Sequence, residues 1–264
     1  MFSFDQYING FLEAPNLKRL LSNIEDFEID KEAITSTNEL PKITRLGKRM
    51  EFILLSILKE HSKYELLAAN VQLKNKSRTI GEIDYIIGDK KGNNIHLELT
   101  TKLYLLDQSL NSELLHQWIG PNRKDFLYLK LNKLREHQFL ISDTQEFKAY
   151  SSINKIPTPN KKALLLKCQL FLPFGLKINL PQNFADCICG EWLSIEQFEE
   201  NYKKSVFYLP EKKDWFIMPE SNSNWFNKHE ILKQIKDSHE RLFSPLVWIK
   251  KNENEYRKIF VVWW

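Results

Sequence analysis

The sequence predicts an α/β protein. A strongly amphipathic segment with helical spacing precedes three runs with strand character, and a second helical segment then leads to a further apolar strand. The order helix, strand, hairpin, helix, strand can therefore be read along residues 41–175. Composition agrees: of 264 residues 42% are hydrophobic and 27% charged, a balance that suits a globular chain with a sizeable core.

The first segment, residues 1–40, reads as helical pieces with polar joints. Pro41 opens PKITRLGKRMEFILLSILKEH, in which Met50, Ile53, Leu54, Ile57 and Leu58 recur at helical spacing, so residues 43–61 are expected to form a helix with one apolar face. YELLAANVQL at 64–73 reads as a strand. TIGEIDYIIG and IHLELTTKLYLL read as two more, joined by Asp89-Lys90-Lys91-Gly92-Asn93-Asn94. Pro121 breaks the pattern, and a second helix is expected over 122–141 with Phe126, Leu127, Leu131 and Leu134 inward. The polar stretch NKIPTPNKK leads to a strand in ALLLKCQLFL. Residues 41–175 thus form a core, and residues 176–264 are expected to add an α+β extension packed on it. In that extension Ser194 caps the helix IEQFEENY. The runs VFYLP, DWFIMP, VWIKK and IFVVWW read as short strands, interrupted by a helix near 227–242.

Several function classes are excluded at this level. With eight glycines the chain has neither GxGxxG nor a GK[ST] phosphate loop, so a dinucleotide or P-loop nucleotide site is not expected. It has no GxSxG elbow for a serine hydrolase. No run of about 18 apolar residues predicts a membrane span, and MFSFDQYINGFLEAPN lacks the basic start of a secretory signal, which points to the cytoplasm. Cys168, Cys187 and Cys189 are odd in number and lack framework spacing, so reduced thiols are expected rather than disulfides or a zinc site. A net charge of +4 permits a nucleic-acid partner without demanding one.

The chemistry concentrates in the hairpin. If it closes symmetrically on its loop, Gly88 lies near Asn94 and Asp84 falls opposite Glu98, with Cβ atoms roughly 4.5–5.5 Å apart on one face. Two facing carboxylates repel, and a divalent cation relieves that repulsion by taking carboxylate oxygens, a backbone carbonyl such as that of Leu99, and waters. Alternation adds Glu82 to the Asp84 face, and Thr100 and Lys102 to the Glu98 face. Lys102 could then steady an attacking hydroxide or the phosphate. The competing expectation is a solvated polar face with a Lys102–Glu82 ion pair. Glu51 shares the helical stripe of Leu54, Leu55 and Leu58, where a carboxylate is costly unless paired or bound to a cation. Its alternatives are a first-turn glutamate favoured by the helix dipole, or one paired with Arg45, Lys48 or Arg49. On the 122–141 helix, Arg123, Lys124, Lys130, Lys133 and Arg135 make a basic side, and Lys130, Leu134 and Gln138 form one stripe. Arg123, Lys130, Lys133 and Gln138 are accordingly the candidate nucleic-acid contacts. His116, Trp118 and Asn122 around Gly120-Pro121 are read as architecture.

A helix glutamate, then GEID, a short loop and a strand with ExxxK resemble the PD-(D/E)XK nuclease superfamily. LGKRMEF, GEIDYIIGDKKGNNIHLELTTKLYL and GPNRKDFLYLKLNKLREHQ, with DWFIMP and IFVVWW later, more closely resemble the bacterial domain-of-unknown-function family 1853. The resemblance implies a restriction-endonuclease-like αβββαβ core around a mixed sheet, Asp84 and Glu98 as ligands of Mg²⁺ or Mn²⁺, and Glu51 as the helix acid. The superfamily's lysine stands two residues after the second acid. This sequence has Thr100 there, and Lys102 is the substitute two residues further on. The expected function is a metal-dependent phosphodiester hydrolase acting on DNA, with RNA as the second choice. The alternative is an inactive nuclease-like fold that binds nucleic acid or protein.

Overall fold

The computed structural model describes residues 2–30, 41–75, 78–202, 205–219, 224–252 and 255–264. Among them are seven α-helices and ten strands. In chain order these are α1 (Phe4–Glu13), β1 (Glu25–Asp26), α2 (Leu46–Glu60), β2 (Tyr64–Asn75), β3 (Arg78–Asp89), β4 (Asn94–Leu106), β5 (Trp118–Ile119), α3 (Leu127–Glu136), α4 (Gln145–Asn154), β6 (Lys161–Pro173), α5 (Gln182–Ala185), β7 (Ile188–Ser194), α6 (Ile195–Glu200), β8 (Val206–Tyr208), α7 (Lys228–Glu240), β9 (Leu246–Asn252) and β10 (Glu255–Val262). They fall into two compact units interleaved along the chain: Met1–Thr101 with Leu129–Lys167, and Lys102–Tyr128 with Cys168–Trp264. Strands β4 and β6 each run from one unit into the other. No helix among the described residues is long and apolar enough to cross a membrane.

In the first unit α1 starts on a capping box, Ser3 with Gln6, and buries Phe4, Tyr7, Ile8 and Phe11. Part of the helical reading of residues 1–40 is thus met, while residues 31–40 lie outside the described residues. α2 occupies the expected helical segment and buries Leu46, Met50, Ile53, Leu54, Ile57 and Leu58. β2, β3 and β4 pair antiparallel in that order, and β6 is hydrogen-bonded beside β4 with β1 parallel to its start. The hairpin loop closes as its length requires: the Asp89 carboxylate accepts from the amides of Lys91 and Asn93, and Gly92 takes φ +82°. The resulting register pairs Gly88 with Asn94 and Tyr85 with Leu97. Val71, Leu73, Ile83 and Ile86 then pack against Ile141 and Phe147.

The helix expected over 122–141 is shorter than the pattern suggested. Residues 120–125 form a turn, closed by Arg123 N–H to Gly120 O at 2.8 Å and Gly120 N–H to Asp125 O at 2.7 Å. Arg123 sits at φ +56°, which α-helix excludes. After α3 the chain tightens into a 3-10 turn over Gln138–Asp143. α4 was not expected from the sequence: it buries only Phe147 and Ser151, too sparse a stripe to stand out.

In the second unit the ends of β4 and β6 are followed in hydrogen-bonding order by β7, β10, β9 and β8, and β5 pairs with β4. β7 is parallel to both β6 and β10, whereas β8, β9 and β10 are joined antiparallel. Leu193, Phe198, Phe207, Ile231, Ile235, Val247, Ile249, Ile259 and Val261 make its core. Ser194 caps α6 with Gln197 completing a capping box. DWFIMP is not a strand. Lys212–Asp214 form a 3-10 turn and Ile217 N–H returns to Asp214 O, so Trp215, Phe216 and Ile217 are buried from an irregular segment. A short apolar run does not by itself tell a strand from another buried segment. Cys168, Cys187 and Cys189 are free thiols.

Candidate metal centre

The site is built in the first unit where α2 crosses the β3–β4 hairpin. Tyr85, buried on β3, donates its hydroxyl to the carbonyl of Glu51 at 2.6 Å, which fixes α2 over the strand and sets the position of Glu51. The backbone ladder between β3 and β4 ends at Tyr85–Leu97. At the next position side chains replace main-chain bonds: the amide of Leu99 donates to Asp84 Oδ2 at 2.9 Å, and the amide of Asp84 donates to Glu98 Oε1 at 3.4 Å. Asp84 and Glu98 thus stand together across adjacent antiparallel strands, as the hairpin symmetry predicted.

Glu98 is fully buried, yet its carboxylate is surrounded by donors. Gln138 Nε2 donates to Oε2 at 2.7 Å and is itself oriented by Lys130, whose Nζ donates to Gln138 Oε1 at 2.9 Å. His96 Nε2 lies 2.8 Å from Oε1, and His96 Nδ1 lies 3.0 Å from Ser142 Oγ. Burial pulls the imidazole down to about 4, so this contact is a hydrogen bond from a neutral ring rather than an ion pair. Burial pushes Asp84 up to about 8. The charge of Glu98 and then that of Glu51 add to the shift, while the Leu99 amide and Lys130 oppose it. Burial likewise pushes Glu98 up to about 7, against the Asp84 amide and Lys130, with Glu82 and Glu51 adding to the shift.

The model of the family described as Domain of unknown function (DUF1853) matches residues 6–262. The chain belongs to the DUF1853 family. Neither the curated proteins nor the solved structures include a match to it.

Other candidates of this DUF1853 chain sit as follows. The Glu51 carboxylate, part-exposed, is held by Lys48 at 2.6 Å, and Lys48 also reaches Glu82 at 3.5 Å. Among the alternatives for Glu51, pairing with Lys48 is therefore realised, and the charge of Glu51 still acts on both Asp84 and Glu98. The Lys102–Glu82 pair of the solvated-face reading does not form, and the face it required is not solvated, because His96, Glu98 and Thr100 are at most 3% exposed. Lys102 lies in the second unit, where its ammonium pairs with Asp125. Arg123, also in the second unit, pairs with Asp107 at 3.1 Å and lies over the Trp264 ring. Lys133 is exposed on α3. The structure therefore gathers Glu51, Asp84, Glu98, Lys130 and Gln138 in one unit.

His96 and Ser142 are the residues that sequence reasoning passed over. Alternation put His96 on the Glu98 face two residues earlier, so that signal was present. Ser142 carries no pattern at all.

Among the described residues no three His, Cys, Asp or Glu side chains gather into a ready-made cage for a metal. A hard cation does not need one: Mg²⁺ keeps several waters and takes one or two carboxylates. The buried like-charge pair fits such an ion. So does Thr100, whose buried Oγ1 has no hydrogen-bond partner although it follows Glu98 by two residues on the same strand face. A water on a cation at the carboxylates would give that hydroxyl a partner.

Proposed function

We propose that this DUF1853 protein is a Mg²⁺- or Mn²⁺-dependent phosphodiester hydrolase built on a PD-(D/E)XK-type core. DNA is its expected substrate, with RNA the second choice. The observation that carries the reading is the meeting of Asp84 with the fully buried Glu98 at the end of the β3–β4 ladder, where two carboxylates repel in the absence of a cation. A divalent ion held there would supply Lewis-acid polarisation of the phosphate and an acidified water.

The chain's own residues have distinct parts. Asp84 and Glu98 would hold the cation, with the Leu99 carbonyl as the candidate backbone oxygen. Lys130 holds Gln138 on Glu98 and lends positive charge to both carboxylates. Glu51 adds negative potential from α2, and Lys48 holds it there. Lys133 and Arg123 are the further candidate phosphate contacts. Lys102 remains the motif's substitute lysine, a role that its own variant weighs.

A specific observation favours the second reading, a nuclease-like fold that binds without cutting: Thr100 occupies the usual lysine position and Lys102 is engaged with Asp125. One experiment separates the two. The protein is incubated with linear, circular and single-stranded DNA in Mg²⁺, Mn²⁺ and EDTA, beside Asp84→Asn and Lys102→Ala. Hydrolysis by the wild type that EDTA and Asp84→Asn abolish supports the enzyme. Loss of Lys102 should then slow cleavage roughly 100- to 1000-fold, as removal of a preorganised stabilising group does. Salt-sensitive DNA binding without cleavage under either metal selects the binding module.

A further inference from the structure

We infer that His96, backed by Ser142, is a positioning residue that occupies one oxygen of Glu98 and leaves the other, Oε2, to take a cation. The inference rests on the metal-dependent reading above. His96 and Glu98 are both fully buried, two residues apart on one face of β4. In the ionised form that would take a cation Glu98 only accepts hydrogen bonds, and a neutral imidazole has one donor, so there Nε2 carries the proton towards Glu98 and Nδ1 accepts from the Ser142 hydroxyl. The chain Ser142 to His96 to Glu98 then has a single direction.

The 3-10 turn Gln138–Asp143 holds Glu98 from both sides. It sends Gln138 directly to Oε2, and it sends Ser142 through His96 to Oε1. A carboxylate offers roughly four lone-pair positions, two on each oxygen. Oε1 accepts from His96 and from the Asp84 amide, and is full. Oε2 accepts from Gln138 and keeps one position open. Binding is therefore through a single oxygen, and the plane of the carboxylate is set before the ion arrives. An apolar side chain would fill the place of His96 against Phe139 without burying ring nitrogens. Packing alone does not call for a histidine there.

The test is Mn²⁺ binding by the full chain, followed from the loss of the free-ion paramagnetic resonance signal. It is run on wild type, His96→Phe, His96→Gln and Ser142→Ala, with thermal midpoints in EDTA as the check on folding. Groups that orient a ligand typically contribute about 10- to 100-fold in metal affinity. His96→Phe should lose that much. His96→Gln, which keeps an N–H donor at a similar reach, should recover most of it. Ser142→Ala should fall between them, with its EDTA midpoint near that of the wild type. Wild-type affinity in His96→Phe, or a His96→Gln variant as weak as His96→Phe, overturns the positioning role and leaves the metal reading standing. If His96→Phe fails to fold, unchanged affinity in Ser142→Ala overturns it instead. A wild type that binds no Mn²⁺ overturns both readings together.

Discussion

Lys258 lies almost wholly buried in the second unit, where its ammonium donates to Gln169 Oε1 and to the Trp215 carbonyl under the face of Trp248. Burial pulls it down to about 7, and the nearby Cys189 thiol opposes that only in part. In the unfolded chain a lysine titrates near 10.4. Between these values the unfolded state binds more protons, so this residue's contribution to stability rises with pH through the window from about 7 to about 10. Burial pushes the Cys168 and Cys189 thiols up, which works in the opposite sense over part of the same range. A comparison with Lys258→Met cancels most of that thiol effect. Urea denaturation of both proteins should show the wild type gaining on the variant by roughly a few kcal/mol across the window, and a pH-independent difference would contradict the assignment. Nothing in the local pattern marks Lys258, since a lysine next to IFVV reads as the edge of a strand. Asp84 and Glu98 were legible because a symmetric loop fixes which residues face each other. The Lys48–Glu51 pair was legible as one of three named neighbours, and of Arg45, Lys48 and Arg49 only Lys48 stands at the i, i+3 spacing that puts two side chains on one helix face.

At the level of elements, close strand approach sets two requirements. Gly190 in β7 faces β10 so tightly that a Cβ would lie 1.9 Å from the carbonyl oxygen of Lys258, a backbone atom that cannot swing aside. Gly190→Ala should therefore lower stability by about 3 kcal/mol, near the upper end of ordinary overpacking, in a urea titration; a change within error would mean the strands can separate freely. The junction of α2 with β3 includes a hydrogen bond through one hydroxyl. Tyr85→Phe removes the bond to the Glu51 carbonyl and should cost about 1 kcal/mol. Because α2 then loses that tie to the strand, Mn²⁺ affinity should fall as well, and an unaltered affinity would separate the helix from the site. α2 and the hairpin were readable because each carries one clean period. α3 was overextended in the sequence reading at both ends: it was started directly after Pro121, although Arg123, held by Asp107 and Trp264, takes a positive φ, and it was run on into residues that tighten into the 3-10 turn Gln138–Asp143. β7, with the sequence ICGEWLS, has neither strict alternation nor an apolar run, and it is recognised only by its parallel partners β6 and β10.

For the whole molecule, the α/β class follows from local periodicity, but the division into units does not. β4 and β6, each 13 residues long, pass through both units, and only long-range pairing reveals where one ends and the other begins. The proposed function rests on a cation as the reason for two acids placed together, and stability supplies a test of that point that needs no substrate. A ligand of the folded state stabilises it by about 2.7 kcal/mol at 100 times its dissociation constant. Saturating Mn²⁺ should therefore raise the thermal midpoint of the wild type by several degrees, and EDTA should reverse the rise. Asp84→Asn and Glu98→Gln replace a charged oxygen by an amide of nearly the same shape. Both should show no response to Mn²⁺; Asp84→Asn, whose remaining oxygen can keep the Leu99 amide, relieves the repulsion between the two carboxylates and should also melt at or above the metal-free wild type, whereas Glu98→Gln turns an amide N–H towards one of the donors around it. The pairing of outcomes in Asp84→Asn is specific to a charge-strained metal site. A rise of equal size in all three proteins would place the ion elsewhere, and an Asp84→Asn variant that melts well below the metal-free wild type would mean that the two acids hold the hairpin together rather than strain it.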